Sequence, residues 1–187
     1  MSRRVDPVAA IGVFCASSRT LDRRWLDLAR DVGAAIAARG HTLVSGGGCV
    51  GMMSTLALGA RSGGAHTLGV IPQSLVDLEV ADRDADELVV TDGMAARKIV
   101  MLERADAFLV LPGGLGTLDE LFEVWTTATL GLHGKPVVVL DVDGFFEGLM
   151  AWLVGVAAQG FIRAESLAMV QVIRTVDAAL DALGRVG

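Results

Sequence analysis

The chain alternates between short apolar runs and longer segments whose apolar residues recur at helical spacing. The apolar runs show little internal polar alternation, which is typical of strands buried on both faces of a sheet. They lie at Val8–Cys15, Thr42–Ser45, Thr67–Ile71, Leu88–Thr91, Ala107–Leu111, Pro136–Leu140 and Met169–Val172. Helices are predicted at Arg23–Arg39, Val50–Arg61, Ala95–Arg104, Leu118–Leu130, Phe145–Ala158 and Thr175–Leu183. This order predicts an α/β fold, a Rossmann-like, doubly wound parallel sheet with helices on both faces.

Length and composition favour one domain spanning residues 1–187, with a well-filled core. Of the 187 residues, 52% are hydrophobic and 20% charged, and the formal net charge of −6 argues against broad nucleic-acid binding. The stretch from Thr42 to Ala60 is uncharged and long enough to span a bilayer, but its glycines suit a buried strand–turn–helix better. No signal peptide is visible, so we expect a cytoplasmic protein without a membrane segment.

Metal and cofactor chemistry finds little support in the residue types available. The three histidines, His41, His66 and His133, show no metal-ligand spacing, so we expect no metal and no cofactor. Two cysteines, Cys15 and Cys49, cannot build a disulfide framework and are expected to be small buried residues.

The segment from Asp106 to Leu130 is the strongest candidate for function. A short apolar strand runs into Pro-Gly-Gly-Leu-Gly-Thr, and a helix is predicted from Leu118 onward. A strand, a glycine-rich turn and a helix start present backbone N–H groups to an anion, and the helix dipole adds about half a positive charge there. Glu120 is predicted in the first helical turn. The alternative is an ordinary tight turn followed by a first-turn acid.

Other strand ends carry weaker signals. Ser17 and Ser18 follow the first strand and suit either a ligand contact or a plain turn. The glycine cluster from Ser45 to Met53 lacks the dinucleotide-binding spacing and is expected to form a wall of the site. Arg97-Lys98 is either an anion-binding pair or a surface basic pair.

Three segments together resemble a known family: SGGGCVGMM at Ser45–Met53, MAARK at Met94–Lys98 and PGGLGTLDE at Pro112–Glu120. They resemble the Lonely-guy family of cytokinin riboside 5′-monophosphate phosphoribohydrolases, long mislabelled as lysine decarboxylases. The resemblance covers almost the whole chain. One departure is that Ala95 and Ala96 replace the His-Glu common in the family, with altered base specificity or weaker catalysis as the expected consequence.

The resemblance implies a nucleotide-specific N-glycosidase without a cofactor. Such an enzyme hydrolyses an N6-substituted adenosine monophosphate to the free base and ribose 5-phosphate. The resemblance gives the catalytic roles to Arg97 and Glu120. It gives substrate contacts to Glu79, Arg97, Lys98, Gly113, Gly114, Leu115, Gly116, Thr117, Leu118, Asp119, Glu120 and Thr126. The context Leu78-Glu79-Val80 departs from the usual Arg-Glu-Leu-like pattern.

The chemistry of this reaction suits these residue types. Cleavage of an N-glycosidic bond builds positive charge on the ribose, which a carboxylate stabilises while it orients or deprotonates water. Glu120 fits that role, whereas Arg97 suits either phosphate clamping or stabilisation of the leaving base.

Two other functions stay open from the sequence. One is a broader nucleoside monophosphate nucleosidase, and the other is a non-catalytic nucleotide or cofactor carrier on the same fold. A decarboxylase would need a lysine for a Schiff base. The only two lysines are Lys98, beside Arg97, and Lys135, in a Gly-Lys-Pro turn.

The helices around Trp125 and Trp152 are apolar on more than one face. A helix that covers a sheet should leave its outer face polar, so the excess predicts a homodimer. The resemblance implies the same, with Thr126 near both site and partner. The alternative is that both helices are deeply packed.

Overall fold

The structure is a computed structural model that describes residues 8–78 and 80–184. Within those residues, seven strands form one parallel sheet in the order β4-β3-β2-β1-β5-β6-β7. The strands are β1 (Ala10–Phe14), β2 (Thr42–Ser45), β3 (Thr67–Pro72), β4 (Glu87–Thr91), β5 (Ala107–Val110), β6 (Val137–Leu140) and β7 (Val170–Ile173). This topology confirms the predicted doubly wound, Rossmann-like α/β fold.

Eight α-helices connect the strands in the described part of the chain. They are α1 (Arg23–Ala38), α2 (Gly51–Ser62), α3 (Gln73–Val76), α4 (Met94–Arg104), α5 (Leu115–Thr129), α6 (Glu147–Ala158), α7 (Ala164–Leu167) and α8 (Val176–Leu183). The six predicted helices all form. The four-residue helices α3 and α7 were not predicted, because such short segments show no apolar period.

Both faces of the sheet are covered, and β5 shows why its sequence is uniformly apolar. Ala107 and Leu109 belong to a core cluster with residues of α1, α2 and α8. Phe108 and Val110 point the other way, into a second cluster with residues of α4, α5 and α6. Alternate side chains of β5 enter two separate cores. For this reason every residue of the strand is apolar.

Helix α5 begins at Leu115, three residues before the predicted start at Leu118. Its first helical hydrogen bond runs from the N–H of Leu118 to the carbonyl of Gly114, at 3.0 Å. Glu120 therefore lies in the second turn, and the prediction that placed it in the first turn was wrong. The apolar period starts only at Leu118, because the first turn holds no residue that packs against the sheet except Thr117.

No helix in residues 8–78 and 80–184 is long and apolar enough to cross a membrane. The uncharged stretch from Thr42 to Ala60 folds as β2, a glycine-rich turn and most of α2, as predicted.

Candidate active site

A cleft of about 420 Å³ opens at the carboxyl ends of the central strands. The strand order reverses between β1 and β5, and ligands of doubly wound sheets bind at such a switch point. The segments after β1, β2 and β5 line the cleft, together with α4. Their side chains and backbone include Cys15, Ser17, Ser18, Gly46, Gly48, Met53, Met94, Arg97, Gly114, Leu115, Gly116, Thr117 and Glu120.

The amino-terminal end of α5 forms one wall of this cleft. The N–H groups of Leu115, Gly116 and Thr117 precede the first helical hydrogen bond, so the helix itself does not use them. All three residues line the cleft. Together with the helix dipole they form the anion cradle that the glycine-rich loop predicts. Phosphate binding at this end stays a prediction.

Arg97 and Glu120 meet in the cleft as a buried ion pair. Nη1 of Arg97 donates a hydrogen bond to Oε1 of Glu120 at 2.7 Å, and only 7% of each residue is exposed. Nε of Arg97 donates a second bond to the carbonyl of Val70, at 3.0 Å. Helix α4 brings Arg97 and helix α5 brings Glu120, while the end of β3 holds the guanidinium in place. The two residues predicted as catalytic thus contact each other directly.

The burial of this pair changes its acid–base properties. Burial raises the pKa of Glu120 above its ordinary value, and the positive charge and hydrogen bond of Arg97 oppose that rise only in part. Burial also raises the pKa of the Cys15 thiol at the bottom of the cleft, and the nearby charge of Glu120 adds to the effect. Cys15 is therefore a neutral thiol at neutral pH, which fits the small buried residue that the sequence predicts. The same prediction was wrong for Cys49, which is exposed in the turn before α2.

Several residues predicted to contact substrate lie outside this cleft. Nζ of Lys98 instead donates to Oδ2 of Asp119 at 3.0 Å and pairs with Glu123 on the outer side of α4 and α5. Leu118 packs against the core beneath α5. Gly113 lies behind the Thr117 side chain, where any Cβ would overlap that residue. Neither Ala95 nor Ala96 is among the described residues that line the cleft.

Thr126 lies in a separate groove of about 310 Å³ on the far side of α5. The groove is also lined by Phe122, Leu153, Phe161 and Arg163. Within one chain, Thr126 and the Arg97–Glu120 pair therefore belong to different cavities. Glu79, the remaining predicted contact, lies outside the described residues.

The cleft also contains residues that sequence reasoning did not propose as ligand contacts. Met53, Leu75, Val80 and Met94 form an apolar part of its wall. Met53 belongs to the segment that was expected to form a wall of the site, whereas Leu75, Val80 and Met94 carry no chemical signal in the sequence and are shown only by the three-dimensional arrangement. Gly46 and Gly48 line the cleft as the expected wall residues, and Ser17 and Ser18 stand beside them.

Metal-binding potential is low in the described residues. No three His, Cys, Asp or Glu side chains come together there to hold a metal ion. Metal-independent activity stays a prediction.

Comparison with known proteins places this arrangement in a family. A family model described as "possible lysine decarboxylase" matches residues 53–183. The cytokinin riboside 5′-monophosphate phosphoribohydrolase of Mycobacterium tuberculosis is 50% identical over 184 residues, 97% of this chain and 98% of that protein. The enzyme of the same name from Oryza sativa subsp. japonica is 42% identical over 152 residues, 81% of this chain and 63% of that protein.

Solved structures support the fold. The molybdenum cofactor carrier protein of Chlamydomonas reinhardtii superposes with a TM-score of 0.74 at 24% identity, covering 96% of this chain and 98% of that one. At this identity the likeness shows a shared fold and nothing about ligand. The sequence relatives, which match nearly the whole chain, are decisive. The chain belongs to the Lonely-guy family of cytokinin riboside 5′-monophosphate phosphoribohydrolases.

Proposed function

We propose that this protein hydrolyses the N-glycosidic bond of N6-substituted adenosine 5′-monophosphates, releasing the free base (a cytokinin) and ribose 5-phosphate. The observation that carries the proposal is the buried Arg97–Glu120 pair in the same cleft as the free amino-terminal end of α5. A relative at 50% identity that bears the name of this activity supports it.

In the proposed mechanism, the amino-terminal end of α5 binds the phosphate, and the Arg97–Glu120 pair acts where the glycosidic bond breaks. The backbone N–H groups of Leu115, Gly116 and Thr117 bind the 5′-phosphate and so place the ribose beside Glu120. As the bond from the anomeric carbon to the base nitrogen breaks, its electron pair leaves with the base. The Glu120 carboxylate stabilises the positive charge on the ribose and takes a proton from the attacking water, whose oxygen bonds to the anomeric carbon. Glu120 then returns this proton, through solvent, to the nitrogen of the departing base, so that the products are the neutral base and ribose 5-phosphate.

Arg97 has a defined part in this scheme. Its planar guanidinium is suited to hold hydrogen bonds in a fixed geometry rather than to transfer a proton. Its hydrogen bond to Oε1 holds one carboxylate oxygen of Glu120, and the scheme assigns the other oxygen to the substrate. We therefore assign Arg97 to the support of Glu120 first, rather than to phosphate clamping.

The apolar wall suits the base rather than the sugar phosphate. Met53, Leu75, Val80 and Met94 face the cleft and offer no strong hydrogen-bonding groups. An adenine with an apolar N6 substituent buries more surface against such a wall than adenine alone does. We expect the substituted nucleotide to be preferred over AMP.

A direct assay separates this function from the two alternatives. The protein is incubated with AMP, isopentenyl-AMP and the two matching nucleosides, and release of free base is followed by chromatography. We expect turnover of the monophosphates only, fastest with isopentenyl-AMP. Equal rates on all purine and pyrimidine monophosphates would indicate a broad nucleosidase. Tight binding without any base release would indicate a carrier.

Metal dependence is tested with the same assay. Chelation with EDTA should leave the rate unchanged, because the scheme uses only protein groups. A loss that a divalent ion restores would contradict the scheme.

We further propose that the protein is a homodimer. Trp125 is packed inside the chain, where its Nε1 donates to the carbonyl of Ser166 at 2.7 Å. Trp152 on α6 and Phe161 beyond it are 64% and 81% exposed, and Phe161 borders the groove that contains Thr126. A second chain would cover these rings.

Light scattering tests the assembly. We expect a mass near twice the 19.5 kDa of one chain, and Phe161→Glu should shift it toward one chain. Val8→Glu changes another exposed apolar residue, 71% exposed and placed before β1, and should leave the mass unchanged. A wild-type mass near 19.5 kDa contradicts the dimer. The cytoplasmic location stays a prediction.

A further inference from the structure

The guanidinium of Arg97 is held by three different segments of the chain. Nε donates to the carbonyl of Val70 at the end of β3, and Nη1 donates to Glu120 on α5. The third nitrogen, Nη2, lies over Gly46 in the turn after β2. A Cβ built on Gly46 would overlap Nη2 and stand 3.1 Å from Cζ of the same guanidinium.

This overlap cannot be relieved by a small movement. The guanidinium is planar, so shifting Nη2 away from Gly46 rotates the whole group. That rotation moves Nε from Val70 or Nη1 from Glu120, and each of these bonds is buried. The other close neighbour of the added Cβ is the thioether sulfur of Met53 at 3.2 Å, which sits in a flexible side chain.

We propose that Gly46 is a positioning residue for the reaction: its missing side chain provides the space in which the Arg97 guanidinium lies flat between the Val70 carbonyl and the Glu120 carboxylate. The proposal rests on the proposed function for its kinetic consequence. It assigns a role in the Ser45–Met53 glycine cluster that differs from ligand binding, since Gly46 acts through Arg97.

Substitution should therefore disturb catalysis more than folding. A methyl group at position 46 displaces the guanidinium and leaves the Glu120 carboxylate buried without its positive partner. Such a carboxylate takes up a proton at a higher pH than in the wild type. Backbone strain is not expected at Gly46, because its φ lies outside the left-handed region.

The first test compares Gly46→Ala with Gly93→Ala. Gly93 caps α4, the helix that carries Arg97, yet its backbone is extended and a Cβ there meets nothing within 4 Å. We expect Gly46→Ala to lower kcat on the order of a hundredfold, as displacement of a catalytic group by about 1 Å does. KM should change far less than kcat, and the acid limb of the pH–rate profile should move to higher pH. Gly93→Ala should match the wild type in all three.

A second test separates displacement of Arg97 from simple blocking of the cleft by the new methyl group. Lysine has no atom in the place of Nη2, so Gly46→Ala should cost little extra in an Arg97→Lys background. If Gly46→Ala lowers kcat by the same factor in both backgrounds, the methyl group acts on the substrate and the proposal is overturned.

A third measurement needs no turnover at all. The carboxyl carbon of Glu120 is followed by ¹³C NMR against pH in the ligand-free protein, with Glu120→Gln used to assign the signal. We expect the titration midpoint to rise in Gly46→Ala and to stay in Gly93→Ala. An unchanged midpoint in Gly46→Ala overturns the positioning role. If the wild type hydrolyses no nucleotide, the proposed function fails while this titration still decides the role of Gly46.

Discussion

Among the described residues, three ion pairs join helices α4 and α5, and two of them, Arg97–Glu120 and Lys98–Asp119, lie one residue apart on each helix yet in different environments. Arg97 and Glu120 face the cleft, where each side chain is 8% exposed. Lys98 and Asp119 face outward, and the Asp119 side chain is 59% exposed. A step of one residue turns a helical side chain by about 100°. That step alone separates a pair in which both side chains are buried from one in which the carboxylate is mostly exposed.

The two pairs differ in their contribution to the free energy of folding. Exposed pairs contribute about 0–1 kcal/mol and are screened by salt. A buried pair loses the hydration of both ions, and its mutual attraction recovers that loss only with good geometry. Burial raises the pKa of Glu120 even though Arg97 is in contact with it. A carboxylate kept under such conditions in a cleft is typical of a catalytic group.

The largest expected effect comes from neutralising the buried acid. Glu120→Gln removes one charge and almost no volume, so nucleotide binding should persist while kcat falls on the order of a hundredfold or more. Glu123→Gln makes the same change one turn along α5, where the acid pairs with Lys98 outside the cleft. Steady-state rates of both variants test the comparison. If Glu120→Gln keeps most of its activity, the carrier alternative gains support.

Removing the cation of each pair should lower the free energy of unfolding by different amounts. Arg97→Ala leaves a buried carboxylate without its partner and should lower the free energy of unfolding by about 3 kcal/mol. Lys98→Ala leaves exposed acids and should cost less than about 1 kcal/mol. Urea unfolding at neutral pH measures both. Adding Glu120→Gln to Arg97→Ala should recover part of the loss, and equal losses for the two single variants contradict the contrast.

The pH dependence of stability offers a sharper comparison. Burial raises the pKa of Glu120 in the folded chain, so the folded state holds this proton more tightly than the unfolded state does. Stability from Glu120 is therefore present below its unfolded pKa, near 4.5, and is lost as pH rises through the folded value. The unfolding free energy of Glu120→Gln relative to the wild type should increase across that window.

Lys98 titrates in a different window. Its hydrogen bond to Glu123 is the main cause that raises the pKa of Lys98 above the ordinary 10.5. The stability it adds is present below 10.5 and is lost only as pH rises through the higher folded value. The largest change in the effect of Lys98→Ala should thus fall at alkaline pH, above the window of Glu120. A shared pH dependence of the two variants would contradict the separation of the pairs.

The smallest expected effect is that of salt. Raising ionic strength shortens the Debye length from roughly 30 Å at 0.01 M to about 3 Å at 1 M. The stability difference between wild type and Lys98→Ala, already below about 1 kcal/mol, should shrink toward zero. The difference for Arg97→Ala should change much less, because buried pairs are screened less than exposed ones and both side chains of this pair are only 8% exposed.

The fold was predictable from sequence because burial on both sheet faces produces continuous apolar runs. The glycine-rich turn after β5 was equally visible, since few other segments combine Pro, Gly and Thr at a strand end. The start of α5 could not be predicted from the sequence, because Leu115 and Gly116 pack against no sheet residue and show no apolar period.

The internal arrangement of the site was harder to predict. Lys98 follows Arg97 directly, and sequence reasoning gave both a place at the substrate, yet helical geometry sends them to opposite sides. The contact between Gly46 and Arg97 joins residues that are far apart in sequence, and no local pattern encodes it.

The Val70 carbonyl that anchors Arg97 belongs to the backbone, and this has an evolutionary consequence. Every amino acid supplies a carbonyl, so any residue that fits β3 at position 70 preserves the anchor. A substitution of Val70 that keeps the core packed should therefore leave Arg97 in place. One of the two hydrogen bonds that hold Arg97 thus depends on the backbone of β3 and not on the side chain at position 70. A comparison of residue identities does not reveal such a contact.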